Sequence, residues 1–122
     1  MNFDPMRPIW LQVAVLLKQQ VATGQLAPGE KLPGGRDLAM KYGINPNTAA
    51  RIYQELEREG VCVTRRGLGT FITEDRAVAE KIRADMARLA VNRFLEELAG
   101  LGIDRREAAQ LILEEDDNHA DK

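Results

Sequence analysis

Residues 24–72 read GQLAPGEKLPGGRDLAMKYGINPNTAARIYQELEREGVCVTRRGLGTFI. Punctuation by Gly, Pro and Asn divides this stretch. A short helix is expected over about Gly35 to Tyr42, with Leu38 and Ala39 inward and Gly43 as its stop. Ile44 then serves as the apolar pin of a tight turn. Asn45-Pro46 is a strong helix start, with Asn as N-cap and Pro at the first helical position. The helix that follows runs to about Glu59, with Ala49, Ile52, Tyr53 and Leu56 on one face. The opposite side carries Asn47, Thr48, Arg51, Glu55 and Arg58. Beyond Gly60, Val61–Arg65 and Thr70–Thr73 are β-branched and aromatic runs around Arg66-Gly67-Leu68-Gly69, a hairpin signature. Helix, turn, helix and hairpin in that order form a winged helix-turn-helix. That shape offers its second helix to the DNA major groove and its wing to the backbone beside it.

Working outward, Pro8 opens an N-terminal helix in which Ile9, Val13, Leu16, Leu17 and Val21 recur at helical spacing as far as Ala22. The connection 24–34 is anchored by Leu26 and Leu32, and Lys31-Leu32 is a candidate edge strand. The winged-helix core is expected to include Val13, Leu16, Leu38, Leu56 and Phe71. From Glu74 the character changes. Val78, Ile82, Met86 and Leu89, extended by Phe94, Leu95 and Leu98, are read as one stripe on a helix of about 24 residues, ~36 Å long. Gly100 and Gly102 break it. Asp104 caps a last helix, with Glu107 as capping-box partner and Leu111 and Ile112 apolar. The expected fold is mainly α with a small β-hairpin. A winged helix-turn-helix DNA-binding domain (1–73) precedes a two-helix dimerisation region (74–115) and a disordered acidic tail (116–122).

Composition narrows the function. The chain has 122 residues, room for one compact domain and an appendage. Its net charge of −2 is unevenly spread. Residues 1–73 hold nine Lys/Arg against six Asp/Glu, a net of +3, and residues 74–122 hold eight against thirteen, a net of −5. Contact with a polyanion is therefore expected of the first part. The chain has no apolar run long enough to cross a bilayer, its N-terminus MNFDPMRP has no apolar signal core, and its one cysteine, Cys62, cannot pair internally. Cytoplasmic location without membrane contact is the expectation.

Asn47, Thr48 and Arg51 concentrate at a positively polarised helix start, where amide, hydroxyl and guanidinium groups can meet base edges and phosphates. Arg65, Arg66 and Gly67 form the wing tip, and Arg36 opens the first helix of the motif, where that helix crosses the DNA backbone. The residues singled out for dimerisation are Val78, Ile82, Met86, Leu89, Phe94, Leu98, Leu111 and Ile112. Gly24 and Gly29 have the spacing of a phosphate loop, but Glu30 stands where the lysine is required. One histidine, His119, lies among acidic residues, and no nucleophile–base pair or metal cluster is present. No catalytic residue, cofactor or metal is expected. A winged helix used to dock a protein partner is the rival reading.

Gly24–Gly29, Leu32-Pro33, Arg36-Asp37-Leu38-Ala39 and the wing Gly67–Ile72 resemble the GntR family of bacterial transcription regulators. Asn45-Pro46-Asn47-Thr48 followed by Arg51 and Tyr53 looks like its short YtrA-type branch, as does Pro8-Ile9. The resemblance implies a homodimeric regulator, usually a repressor, on a palindromic (inverted-repeat) operator in double-stranded DNA, often controlling transporter genes. It carries DNA contact onto Arg36, Asn47, Thr48, Arg51, Arg66 and Gly67. Gly34 departs from the serine that commonly follows Leu-Pro, and Trp10 stands where the family favours Tyr. Larger branches have an effector domain exceeding the 49 residues that follow Thr73. An unknown small-molecule effector would here be left a small pocket at the dimer seam.

Overall fold

A computed structural model describes residues 3–119, with side chains as far as 115. The elements are α1 (Ile9–Ala22), α2 (Gly35–Tyr42), α3 (Pro46–Arg58), β1 (Cys62–Arg65), β2 (Gly69–Ile72), α4 (Arg76–Ala99) and α5 (Arg105–His119).

Local chemistry sets the boundaries. Asn45 caps α3 by accepting the Asn47 N–H at 2.7 Å, with Pro46 at the first helical position. Gly34, at the N-cap of α2, makes no side-chain cap bond. Gly43 ends α2 at φ +64°, a conformation a Cβ disfavours, and the Ile44 N–H closes the turn on the Ala39 carbonyl at 2.9 Å. After α3, the Gly60 N–H bonds to the Glu57 carbonyl and the Val61 N–H to that of Leu56, the paired bonds of a Schellman cap.

One apolar cluster joins Val13, Leu17 and Val21 of α1, Leu38 and Ala39 of α2, and Ala49, Ile52, Tyr53 and Leu56 of α3 to Leu32, Val61, Cys62 and Ile72. Two expected core members differ. Leu16 is only half-buried, because Val13, Ala14, Leu17 and Val21 take the inner face of α1. In β2, Ile72 is the buried residue and Phe71 the half-buried one. The register explains this. Cys62 pairs with Ile72 and both are buried, so the next pair, Val63 with Phe71, points to the other side.

The hairpin is supported from the 24–34 connection. The Leu32 N–H reaches the Thr70 carbonyl at 2.8 Å, the Ile72 N–H reaches that of Glu30 at 2.8 Å, and Lys31 bridges Phe71. The expected edge strand at Lys31-Leu32 is thus one bridge long. It gives the two-stranded wing a third partner, which an isolated hairpin needs to be stable.

The residues up to Arg83 form one compact unit and those from Ala84 a second. The division falls inside α4 and not at 73/74, because Ala79 and Ile82 pack on the winged-helix core. No residue of α4 is fully buried. The single stripe expected along it is two. At about 100° per residue, Val78, Ile82, Met86 and Leu89 fall within an arc of about 80°. Val91, Phe94, Leu95 and Leu98 lie on the reverse side of the helix.

In the second unit, Gly102 and Ile103 close a Schellman turn on Ala99 and Leu98. Asp104 caps α5 by accepting the Glu107 N–H at 2.9 Å. Ala108 is buried, whereas Leu89, Val91, Leu101, Ile112 and Leu113 are all more than half exposed. The last helix runs to His119, so 116–119 are helical where a disordered tail was expected. Residues 120–122 of that tail lie outside the described residues.

Candidate nucleic-acid interface

The third helix is held on three sides. Tyr53 donates its hydroxyl to the Pro33 carbonyl at 2.5 Å, which ties α3 to the chain entering α2. Lys18 of α1 pairs with Glu59 at 2.6 Å, just past the end of α3. Glu57 accepts from the Thr64 N–H at 3.4 Å and from its hydroxyl at 3.3 Å, which joins α3 to the wing. Thr64 and Thr70 meet across the hairpin, hydroxyl to hydroxyl, at 3.3 Å. With its apolar face buried, α3 leaves Asn47 and Arg51 exposed and Thr48 half-buried. The cap of α3 is already satisfied by Asn45, so the Asn47 amide side chain is not spent on closing the helix.

The wing tip is a tight turn. The Leu68 N–H bonds to the Arg65 carbonyl at 2.9 Å, and Gly67 occupies the third position at φ +78°, as a type II turn requires. The guanidinium of Arg65 lies over the Phe71 ring at 5.4 Å, which holds it against the wing. Arg66 projects from the tip, and Arg36 from the first turn of α2. Both are exposed, and neither has an ion-pair or hydrogen-bond partner among the described residues. Contacts between α2 and α3, and between α3 and β1, place these elements side by side.

Three features of this surface come from tertiary contacts that the sequence did not disclose. The Arg51 guanidinium sits 4.2 Å from the centroid of the Trp10 ring, contributed by α1. Glu57, on the flank of α3, is the wing anchor. The stem of Lys31 passes so close to Gly69 that a Cβ there would lie 2.8 Å from Lys31 Cε, which adds a cation at the base of the wing.

Burial also perturbs two groups beneath α3. Tyr53 has its hydroxyl pushed far above its usual range by desolvation first, then by Cys62, Tyr42 and Asp37. The Cys62 thiol is pushed up to about 11 by burial first and by Glu57 second. Both stay protonated and neutral at physiological pH. Among the described residues no group of three or more His, Cys, Asp or Glu could hold a metal ion.

The family model for bacterial regulatory proteins of the gntR family matches residues 10–72, a span that includes α1, the helix-turn-helix and the wing. The chain belongs to the GntR family. Over 111 residues it is 36% identical to the uncharacterized HTH-type transcriptional regulator YhcF of Bacillus subtilis, covering 91% of this chain and 92% of YhcF. It is 46% identical over 68 residues to the HTH-type transcriptional repressor YtrA of the same organism, covering 56% of this chain and 52% of YtrA. Among solved structures, a GntR family transcriptional regulator from Listeria monocytogenes aligns with TM-score 0.86 and 33% identity, covering 92% of this chain and 98% of that one.

This GntR protein is therefore a winged-helix DNA-binding regulator of transcription, similar to YtrA over about half of its length and to YhcF along most of it. Its relatives are transcriptional regulators, and among the described residues no helix is long and apolar enough to cross a membrane.

Proposed function

We propose that this GntR protein is a repressor that binds an inverted-repeat operator as a homodimer. The observation that carries the reading is the start of α3, where exposed Asn47 and Arg51 and half-buried Thr48 stand on a helix fixed to α2, α1 and the wing. Arg51 and Asn47 read base edges. Thr48 and Arg36 contact phosphates, and Arg65, Arg66 and Gly67 of the wing follow the backbone. The similarity to YtrA, named as a repressor, supports repression over activation. The family resemblance points to transporter genes as targets. The protein works where the chromosome is, in the bacterial cytoplasm.

The exposed apolar residues of the second unit support the dimer. Leu89, Val91, Leu101, Ile112 and Leu113 are too many to leave in water on so small a unit. A single winged helix reads only a few base pairs, and twofold pairing doubles the interface.

Selection of bound sites from random duplexes tests the proposal. The expected product is an inverted repeat whose half-sites lie about one helical turn (~10 base pairs) apart, or a multiple of that, with affinity falling steeply as salt rises. Failure to enrich any duplex, or enrichment of a single unrepeated half-site, would overturn it.

A further inference from the structure

Arg51 and Trp10 meet across the packed pair α1 and α3, with the guanidinium carbon 4.2 Å from the ring centroid. The ring is half-buried and packs against the winged-helix core, so its plane is fixed by the fold. The guanidinium is exposed. One helical turn further along α3 stands Glu55, the carboxylate best placed to capture Arg51, but it is paired with Arg58. The first turn of α3 has no acidic residue. Among the described residues, Trp10 is the partner Arg51 has.

The chemistry of the two kinds of partner differs. A carboxylate would occupy the N–H fork of arginine and cancel its charge. An aromatic face takes only the π surface of the guanidinium and leaves its edge donors and its charge outward. We propose that Trp10 is a positioning residue for DNA reading. It holds the Arg51 guanidinium flat and un-neutralised, with its donor edge presented to a guanine. Arginine otherwise loses much rotamer freedom on binding, and a ring that pre-orders it lowers that cost. The inference rests on the DNA-binding reading above and adds to it a residue outside the helix-turn-helix.

The test is a double-mutant cycle on a duplex selected by the wild-type protein. Trp10→Leu keeps an apolar side chain in the core and removes the aromatic face, and Trp10→Tyr keeps a face. Trp10→Leu should weaken specific binding by about three- to thirtyfold, the range of a cation–π contact, and Trp10→Tyr should recover most of that loss. In an Arg51→Ala background Trp10→Leu should cost nothing further. The salt dependence should be unchanged by Trp10→Leu, since no phosphate contact is removed. Trp10 is the sole tryptophan, so its emission reports the stack directly. Emission of the free protein should change in Arg51→Ala and stay constant in Arg36→Ala. An equal loss from Trp10→Leu with and without Arg51 would overturn the inference, as would a Trp10→Tyr protein no better than Trp10→Leu at matched thermal stability. A wild-type protein that selects no duplex sinks the DNA reading and this inference with it. One that binds its duplex but gives additive losses sinks the inference alone.

Discussion

Tyr53 and Pro33, twenty residues apart, are joined by a 2.5 Å hydrogen bond from the phenol to the backbone carbonyl. The ring of Tyr53 belongs to the core, and its hydroxyl reaches past that core to the segment entering α2. One side chain thus fixes α3 to its neighbour by packing and by a directed bond. Tyr53→Phe should keep the packing and lose the bond, at a cost of about 1 kcal/mol. Chemical denaturation would show this as a lower midpoint at unchanged slope. An unaltered midpoint would mean that the bond adds nothing to α3.

The pH dependence has a defined sign. Cys62 has its thiol raised from 9.0 to about 11 by burial, so the fold favours the neutral form. An acid whose pKa is raised on folding contributes stability that is complete below its unfolded pKa and lost as pH rises through the folded one. Stability should therefore fall between pH 9 and 11, and Tyr53, also raised from its ordinary value of 10.0, steepens the loss from about pH 10 upward. Cys62→Ala should fall less steeply over the same range in urea titrations. Identical slopes for the two proteins would remove Cys62 as a cause.

The wing should act mainly through charge. Arg66 projects from the tip with no partner among the described residues. Arg66→Ala should weaken selected and unrelated duplexes alike and reduce the slope of log affinity against log salt by about one. Arg36→Ala should do the same from α2. A change confined to one base position would instead assign base reading to these residues.

Gly67→Ala tests the turn that carries Arg66. The site is open, with nothing within 4 Å of an added Cβ, but φ is +78°. The cost is therefore backbone strain alone, about 1–2 kcal/mol. The wing should open locally, seen as faster amide exchange at Arg65 and Leu68, while the helical core keeps its protection. Unchanged exchange there would show that the tip does not depend on this conformation.

What was legible in the sequence was local. Asn45-Pro46, Gly43, Gly60 and Asp104 each fix a boundary through bonds made within a few residues, and all four stand where their chemistry placed them. What escaped required partners distant in the chain. Trp10 gains its meaning only when α1 packs on α3. Phe71 and Ile72 differ in burial because of register, which pairing with Cys62 decides. On α4, spacings of three and four hold as far as Leu89, but the step to Phe94 turns the helix through more than a third of a revolution. Angle, and not spacing alone, separates its two apolar faces.

That division sharpens the test of assembly. Ile82 packs on the core of its own unit, so the proposed seam should rest more on the apolar residues that follow it. Leu89 is 60% exposed and Ile112 54% exposed, and both belong to the second unit. Leu89→Glu and Ile112→Glu should each place a charge in the proposed seam, at a cost of several kcal/mol, about 2–5, where the seam is dry. Neither side chain belongs to the winged-helix cluster, so that unit should stay folded. Sedimentation should show a monomer with helical signal retained and operator affinity lost, while Leu89→Gln and Ile112→Gln lose less. If both glutamate variants remained dimeric and bound the palindrome normally, the interface would lie elsewhere, with the exposed Ile9 and Leu11 on α1 the next surface to probe.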